Sequence, residues 1–168
     1  LIEERTEPWT YVKIPYLKNV GWKGFVAGAD SGVYRVGPLA RLNTCDFIDT
    51  PLAEAARQEF MGVTDNRPNN VTMAYHWARM IEVVHSIEKI EELLHDPDLQ
   101  GEELVVKGER RSEGVGILEA PRGTLFHHYR VNDDDQIERA NLIVSTTSNN
   151  EPMNRAVEGV ARRYLSGQ

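Results

Sequence analysis

The chain has 168 residues, the length of one domain with a single hydrophobic core, and is 40% apolar and 27% charged, like ordinary soluble globular proteins. Its formal net charge of −7 argues against binding nucleic acid through a basic surface, and we expect neither a signal peptide nor a membrane span, because no apolar run is long enough. Its only cysteine, Cys45, allows neither an internal disulfide nor a cysteine-ligated metal site, which suits a reducing cytoplasm.

The first quarter of the chain is predicted to be extended segments and loops. Residues 9–16 are rich in β-forming types and predict a strand, which Pro15 confines to a sheet edge or ends. Residues 19–32 contain four glycines, among them Gly28, and predict a loop or an irregular hairpin. Residues 33–42 begin extended, and the Gly37-Pro38 pair then predicts a turn.

The middle of the chain is predicted to be helical. Thr50 and Pro51 have the pattern of a helix cap and first residue, and the helix continues to Phe60. A longer helix is predicted over residues 71–95, ended by Asp96-Pro97. Six apolar residues at three- and four-residue spacings predict its buried stripe: Ala74, Trp77, Ile81, Val84, Ile87 and Leu94.

The last third is predicted to be a short strand at 104–108, a central hairpin and a final helix. The hairpin strands flank the sequence Glu119-Ala-Pro-Arg-Gly123, where Pro121 lacks a backbone donor and Gly123 permits a positive φ. A returning strand over 137–145 and a helix over 153–165, opened by residues 149–152, complete the pattern. The predicted fold is a single α+β domain over residues 1–168, with antiparallel strands around a Pro-Arg-Gly turn, one long helix and two shorter ones.

Arg122 and Thr146 are the residues whose chemistry points to a site. An arginine on a rigid turn presents five donors and a permanent charge, which suits an anionic group. Thr146 follows a predicted strand and offers a hydroxyl donor, with Ser145 beside it. The structural alternatives are a surface ion pair for Arg122 and a helix cap for Thr146.

Two Glu-x-x-His steps, Glu82/His85 and Glu92/His95, match the step used by carboxylate-bridged di-iron bundles. Both lie on one predicted helix, about 15 Å apart along its axis and on different faces, so one chain cannot bring them to one metal pair. A solvated acidic face is the simpler interpretation, and a di-iron site would need a dimer. Cys45 would be a nucleophile only with a base that the sequence does not identify, and a structural thiol is the alternative.

Four ordered motifs together resemble the large subunit of nickel–iron hydrogenases. They begin at Tyr34 (YRVGPLARLN), Tyr75 (YHWARMIE), Gly116 (GILEAPRGTLFH) and Ala140 (ANLIVSTTSN). The resemblance extends from about Trp9 to Tyr164 and is greatest to the cytoplasmic, multimeric branch of the family.

The resemblance implies a Ni–Fe centre whose iron carries carbon monoxide and cyanide, and which reversibly splits H2 into protons and electrons. It implies that Arg122 lies over the open side of the metals and donates to a cyanide, with Pro121 packed against the same ligands. It implies that Thr146 donates to the other cyanide, with Ser145 next to it. The implied partners are the remainder of the large subunit and a small Fe–S subunit.

The sequence also departs from the family pattern, because the two Cys-x-x-Cys pairs that hold the metals in this family are absent. We therefore expect an internal segment of a large subunit that holds no metal by itself and does not turn over hydrogen alone. Two alternatives remain open. One is a non-catalytic binding or assembly module, and the other is the related quinone-site subunit of respiratory complex I, which is not expected to keep Arg122 or the Ser145-Thr-Thr147 run.

Overall fold

A computed structural model describes residues 2–25 and 31–165, which include both helices and antiparallel sheets and confirm the α+β class. Gly28, and with it part of the predicted 19–32 loop, lies outside the described residues. The chain divides into two compact units, one made of Leu1–Gly37 with Ser112–Gln168 and the other of Pro38–Arg111. That residues 1–168 form a single domain stays a prediction.

The first unit begins with a two-stranded antiparallel sheet of β1 (Ile2–Arg5) and β2 (Ile14–Leu17). Only the end of the predicted strand at 9–16 is therefore extended, and its partner strand was not predicted. Pro15 lies within β2, opposite Glu4, in a sheet of only two strands, where a residue without an N–H is tolerated.

The central hairpin of the first unit is confirmed. Strands β3 (Glu113–Ala120), β4 (Gly123–Val131) and β5 (Ile137–Ile143) form an antiparallel sheet in that order. Ala120 pairs with Gly123, so Pro121 and Arg122 alone form the turn. The strand predicted at 104–108 is wrong: this segment is irregular, and Leu104, Val105 and Val106 are exposed. A short apolar run becomes a strand only where another strand completes its hydrogen bonds.

The last helix, α4 (Ser145–Leu165), begins eight residues before its predicted start at 153. Pro152 was interpreted as part of the helix opening, because proline is favoured in a first turn. It instead lies inside α4 and is buried, so one backbone hydrogen bond of the helix is lost there. The hydroxyl run that begins at Ser145 is consequently the first turn of a helix and not the end of a strand.

The second unit contains α1 (Pro38–Thr44), α2 (Pro51–Gly62) and α3 (Ala74–Leu94), followed by a 3-10 turn at Pro97–Gln100. Helix α1 was predicted only as a turn, although Pro38 occupies the first helical position that proline favours. Seven buried side chains form the core of the unit: Leu39, Leu42, Ala53, Phe60, Ala74, Ala78 and Ile81. No helix within the described ranges is long and apolar enough to span a membrane.

The buried stripe predicted for α3 is correct only in its first half. Ala74 and Ile81 are buried, and Trp77 and Val84 pack against the core. Ile87 and Leu94 are more than 60% exposed. The C-terminal half of α3 therefore has apolar residues that the described part of the chain does not cover.

The start of α2 is capped from another helix. Thr50 precedes the helix as predicted, but its hydroxyl is 3.0 Å from His85 Nδ1 and makes no cap hydrogen bond. The Glu88 carboxylate of α3 instead accepts the N–H groups of Leu52 and Ala53, each at 2.9 Å. A negative charge at a helix N-terminus is favourable, and here it also joins α2 to α3.

Glu54 in the first turn of α2 gives the second unit a pH-dependent contact. Its carboxylate accepts two hydrogen bonds from the Arg57 guanidinium, at 2.7 and 2.9 Å, and one from the Ile48 N–H at 2.7 Å. The Arg57 hydrogen bonds, helped by the Ile48 N–H, lower the pKa of Glu54 to about 2. Because the pKa is lower in the folded chain, the contribution of this carboxylate is complete above pH 4.5 and is lost as the pH falls toward 2.

We expect Glu54→Gln to lower the free energy of unfolding at pH 7 by about 1–2 kcal/mol, allowing for solvent screening of a partly exposed pair. The difference from the wild-type chain should shrink as the pH falls from about 5 to about 2. Urea unfolding of both proteins at each pH checks this, and a difference that stays constant over that range would contradict it.

Candidate functional site

The turn between β3 and β4 presents a charged side chain that the described part of the chain does not neutralise. Pro121 and Arg122 are both exposed. Within residues 2–25 and 31–165, the Arg122 guanidinium makes no hydrogen bond and no ion pair. The structural alternative, a surface ion pair within this chain, is therefore not found among these residues, and Arg122 is left able to bind a group from outside them.

The residue after Arg122 is held by a close backbone contact. Gly123 is buried, and its φ of +131° lies in a region that residues with a side chain rarely adopt. A Cβ at this position would lie 2.3 Å from Val36 Cγ2 and 2.9 Å from Gly37 N. No larger residue fits at this position. Val36 and Gly37 therefore fix the position of Gly123, the first residue of β4 after the turn.

The first turns of α4 contain the other predicted residues. Ser145 is buried and Thr146 is exposed, and both lie in the first helical turn. Backbone N–H groups in a first turn have no partner within the helix and point toward its N-terminal end, where they favour an anion or another hydrogen-bond acceptor. Thr146 is the second residue of α4, so it lies inside the helix and not at the N-cap position, which was the structural alternative for it.

The segment around Val36 connects α4 to the arginine turn. Val36 donates its N–H to Asn149 Oδ1 at 2.9 Å and accepts from Asn149 Nδ2 at 3.1 Å. The Tyr34 hydroxyl is 3.2 Å from the hydroxyl of Ser148, which is fully buried. Burial raises the pKa of Tyr34, so its phenol stays neutral. The four predicted site residues therefore belong to two elements that the same segment, 34–37, contacts.

Sequence reasoning missed the residues that make this connection. In the sequence, Tyr34 is only the first residue of one motif, and Ser148 and Asn149 are only the last residues of another. Because Ser148 and Asn149 are polar, their sequence indicates a solvated surface and not a contact with a distant segment. Only the position of Val36, more than 110 residues away in sequence, gives Asn149 its two partners.

The second unit contains a separate cavity of about 380 Å³ between α1, α3 and the loop that follows α1. Arg41 and Glu82 form a two-point ion pair at its edge, with N–O distances of 2.6 and 2.8 Å. Burial raises the pKa of Cys45, and its Sγ is 3.7 Å from the Leu42 carbonyl oxygen. The thiol is therefore kept protonated, which favours the structural interpretation over the nucleophile.

The two Glu-x-x-His steps have their polar atoms engaged by other groups. Glu82 binds Arg41, and His85 Nδ1 is close to the Thr50 hydroxyl. Lys89 donates to Glu92 at 2.7 Å, and His95 Nδ1 lies 2.8 Å from the carbonyl oxygen of Glu91 in its own helix. In the described parts of the chain, no group of three or more His, Cys, Asp or Glu side chains is arranged to hold a metal ion.

Comparison with known proteins gives a consistent result over most of the chain. The family described as nickel-dependent hydrogenase matches residues 28–163. The beta subunit of the NAD-reducing hydrogenase HoxS from Cupriavidus necator is 48% identical over 167 residues, which cover 98% of this chain and 33% of the relative. An iron-sulfur subunit of the F420-non-reducing hydrogenase from Archaeoglobus profundus is 46% identical over 165 residues, 98% of this chain and 34% of the relative.

Solved structures agree with these relatives. The structure of an NAD+-reducing [NiFe]-hydrogenase in the H2-reduced state superposes on this chain with a TM-score of 0.88 and 52% identity, over 100% of this chain and 36% of the other. The Ni-Fe-Se hydrogenase from D. vulgaris Hildenborough gives a TM-score of 0.56 at 25% identity, over 82% of this chain and 27% of the other. The chain thus spans about a third of the length of the proteins it is similar to.

Proposed function

We propose, since the chain belongs to the nickel-dependent hydrogenase family, that it forms the middle segment of a nickel–iron hydrogenase large subunit and holds part of the wall around the Ni–Fe centre. The intact subunit would act as a hydrogen:acceptor oxidoreductase that splits H2 reversibly into protons and electrons. The observation that carries the proposal is the exposed Arg122, which pairs with no side chain of residues 2–25 and 31–165, on a turn whose position is set by the Gly123–Val36 contact.

The donors found here fit the outer contacts of such a centre and not its metal ligands. A guanidinium is permanently charged and donates without accepting, so Arg122 suits an anionic acceptor such as a metal-bound cyanide and cannot bind a metal. The Ser145 and Thr146 hydroxyls and the first-turn N–H groups of α4 are likewise donors suited to cyanide nitrogen. Soft thiolates for nickel and iron would come from the rest of the subunit.

We assign the following roles to the residues of this chain. When bound, the Ni–Fe centre supplies the chemistry of hydrogen cleavage. Arg122 would place a positive charge and its donors near the anionic ligands of the centre, and Pro121 would pack beside it and restrict the turn. Ser145 and Thr146 donate to a second acceptor from the start of α4. Contacts of this kind tune and orient a metal centre without binding the metal.

The remainder of the large subunit and a small Fe–S subunit are the partners we propose, and the cytoplasm is the location, as the single cysteine suggests. The exposed apolar residues of α3 support the first of these. They lie at alternating three- and four-residue spacings, on the side of α3 roughly opposite its core face: Met80, Val83, Ile87, Ile90 and Leu94. We call them the outer face of α3. A helix that is apolar on two faces is one that packs against neighbours on both.

We expect the isolated chain to self-associate through the outer face of α3, because nothing within the described residues covers it and a contiguous exposed apolar face favours association. Ile87→Glu should shift the chain toward a monomer in multi-angle light scattering at high protein concentration. Ala55→Glu, which adds the same charge to an exposed site on α2, serves as the control and should leave the association unchanged. A wild-type chain that is already monomeric would contradict the prediction.

The proposed function is tested by exchange into a complete subunit. This chain would replace the matching third of the beta subunit of the C. necator NAD-reducing hydrogenase, and hydrogen-dependent NAD reduction would be measured beside the isolated chain. We expect activity in the chimera and none in the isolated chain. A chimera that folds and contains nickel and iron but stays inactive would favour the binding or assembly module, and hydrogen uptake by the isolated chain would show that a site exists without the thiolates.

A further inference from the structure

We propose that Asn149 is a positioning residue for the arginine turn: its side-chain amide holds Val36 against Gly123 and so sets where Arg122 stands relative to the start of α4. The proposal rests on the function proposed for Arg122. It assigns a role to a residue whose side-chain hydrogen bonds go to Val36 and not to Arg122. Asn149 acts through the segment 34–37.

The first step is the pair of hydrogen bonds between Asn149 and Val36. The Asn149 amide offers one acceptor and one donor in a plane, and it binds both backbone groups of Val36, at 2.9 and 3.1 Å. This copies the way in which a neighbouring strand would bind Val36, although that residue belongs to no sheet. Among side chains of this size, aspartate lacks the donor and leucine lacks both groups, so the position favours asparagine.

The second step is the contact between Val36 and the turn. Val36 is only 7% exposed, and its side chain occupies the space where a Cβ of residue 123 would lie. Because glycine has no side chain of its own to hold that position, the packing partner decides where the backbone rests. Loss of the Asn149 hydrogen bonds would leave Val36 free to move, and the position of Gly123, and of Arg122 directly before it, would then no longer be fixed.

The third step separates Asn149 from its neighbour. Ser148 also binds this segment, through the Tyr34 hydroxyl at 3.2 Å, but it does so two residues before Val36. Loss of that contact would leave both Val36 hydrogen bonds and the packing on Gly123 in place. Ser148→Ala is therefore a matched control on the same helix. It also removes a side-chain hydrogen bond to the segment 34–37, but not one made by Val36, the residue that contacts Gly123.

The geometry is tested first in the 168-residue chain by NMR. We expect Asn149→Ala to weaken the nuclear Overhauser effect between the Val36 methyls and Gly123 Hα, and to raise the amide exchange rate of Val36 at least tenfold. Asn149→Asp keeps the oxygen that accepts from the Val36 N–H, so it should raise the Val36 exchange rate by less than Asn149→Ala. This graded effect distinguishes the loss of the hydrogen bond from general unfolding of the variant. Ser148→Ala should change the Val36 exchange rate less than threefold. An unchanged Val36 exchange rate and Overhauser effect in Asn149→Ala would overturn the proposal.

The link to function is tested by a double-mutant cycle in the hydrogenase that contains this segment. The cycle compares Asn149→Ala in the wild-type protein and in the Arg122→Lys variant. Lysine keeps the positive charge but lacks the planar guanidinium, whose donors bind well only in one orientation. In the wild-type background, we expect Asn149→Ala to lower the rate of hydrogen oxidation at least tenfold. In the Arg122→Lys background, the same substitution should lower the rate less than threefold. Equal losses in both backgrounds would mean a purely structural role and overturn the positioning proposal alone. An unchanged rate in Arg122→Lys and Arg122→Ala would instead overturn the proposed function, and the positioning role with it.

Discussion

Gly123→Ala is expected to lower the free energy of unfolding of the first unit by about 3 kcal/mol, since it adds a packed-core clash to a strained backbone. The new Cβ would lie 2.3 Å from Val36 Cγ2 and 2.7 Å from Val36 Cβ, and no rotation of Val36 moves its own Cβ away. The φ of +131° is also unfavourable for alanine. The variant must therefore displace the backbone at Gly37, at the turn, or at both.

Gly116→Ala is the matched control for this prediction. Gly116 lies on β3 of the same sheet, and a Cβ added there would meet nothing within 4 Å. We expect its free energy of unfolding to stay within about 1 kcal/mol of the wild-type value, as for glycine replacement at an unstrained strand position. Urea unfolding, monitored by circular dichroism, measures the free energy of unfolding of both variants. Equal stabilities for the two would show that the turn adapts and is not fixed by Val36.

Under the proposed function, Arg122→Ala is expected to lower the rate of hydrogen oxidation by the chimeric hydrogenase about 10²- to 10³-fold, the range found when a preorganised donor is removed from an electrostatic site. The same substitution should change the free energy of unfolding of the 168-residue chain by less than about 0.5 kcal/mol, because exposed side chains without partners contribute little to stability. A large effect on rate with almost none on stability is the pattern of a residue that acts on a group outside this chain.

Arg130→Ala is the control for the loss of charge. Arg130 is also an exposed arginine of β4, and it is 3.2 Å from Glu138 in a surface ion pair. Its replacement removes one positive charge from the same strand, and we expect the hydrogenase rate to change less than threefold. If both variants lost activity equally, the general charge of the strand would be responsible, and the specific role of Arg122 would be refuted.

Local sequence predicted those elements that depend on nearby residues. The hairpin around Pro121-Arg122 was predicted because proline and glycine interrupt two β-forming runs, and the register confirms it. Helices α2 and α3 were predicted because proline, apolar periodicity and Asp96-Pro97 mark their ends. In each case the physical cause is a backbone preference or a periodicity within a few residues.

Predictions failed where a distant residue decided the outcome. The apolar run at 104–108 has β-forming side chains but pairs with no strand in the part of the chain that the structure describes. Thr50 has the sequence of a helix cap, yet Glu88 of another helix supplies the hydrogen bonds. Helix α4 continues on the N-terminal side of Pro152, a residue that local rules place in a first turn. Local preference alone therefore does not decide where an element forms, begins or is capped.

The sequence by itself determined the chemistry of the candidate site: a permanently charged arginine on a rigid turn, hydroxyls at a second position, and motifs of a hydrogenase large subunit. The tertiary structure alone decided how these parts are held, since Val36 lies between Gly123 and Asn149 only after residues 36, 123 and 149 have folded together. Residue type fixes which groups can donate or carry charge, and this follows from covalent structure. Relative position depends on packing between residues that are far apart in the chain, which no local pattern contains.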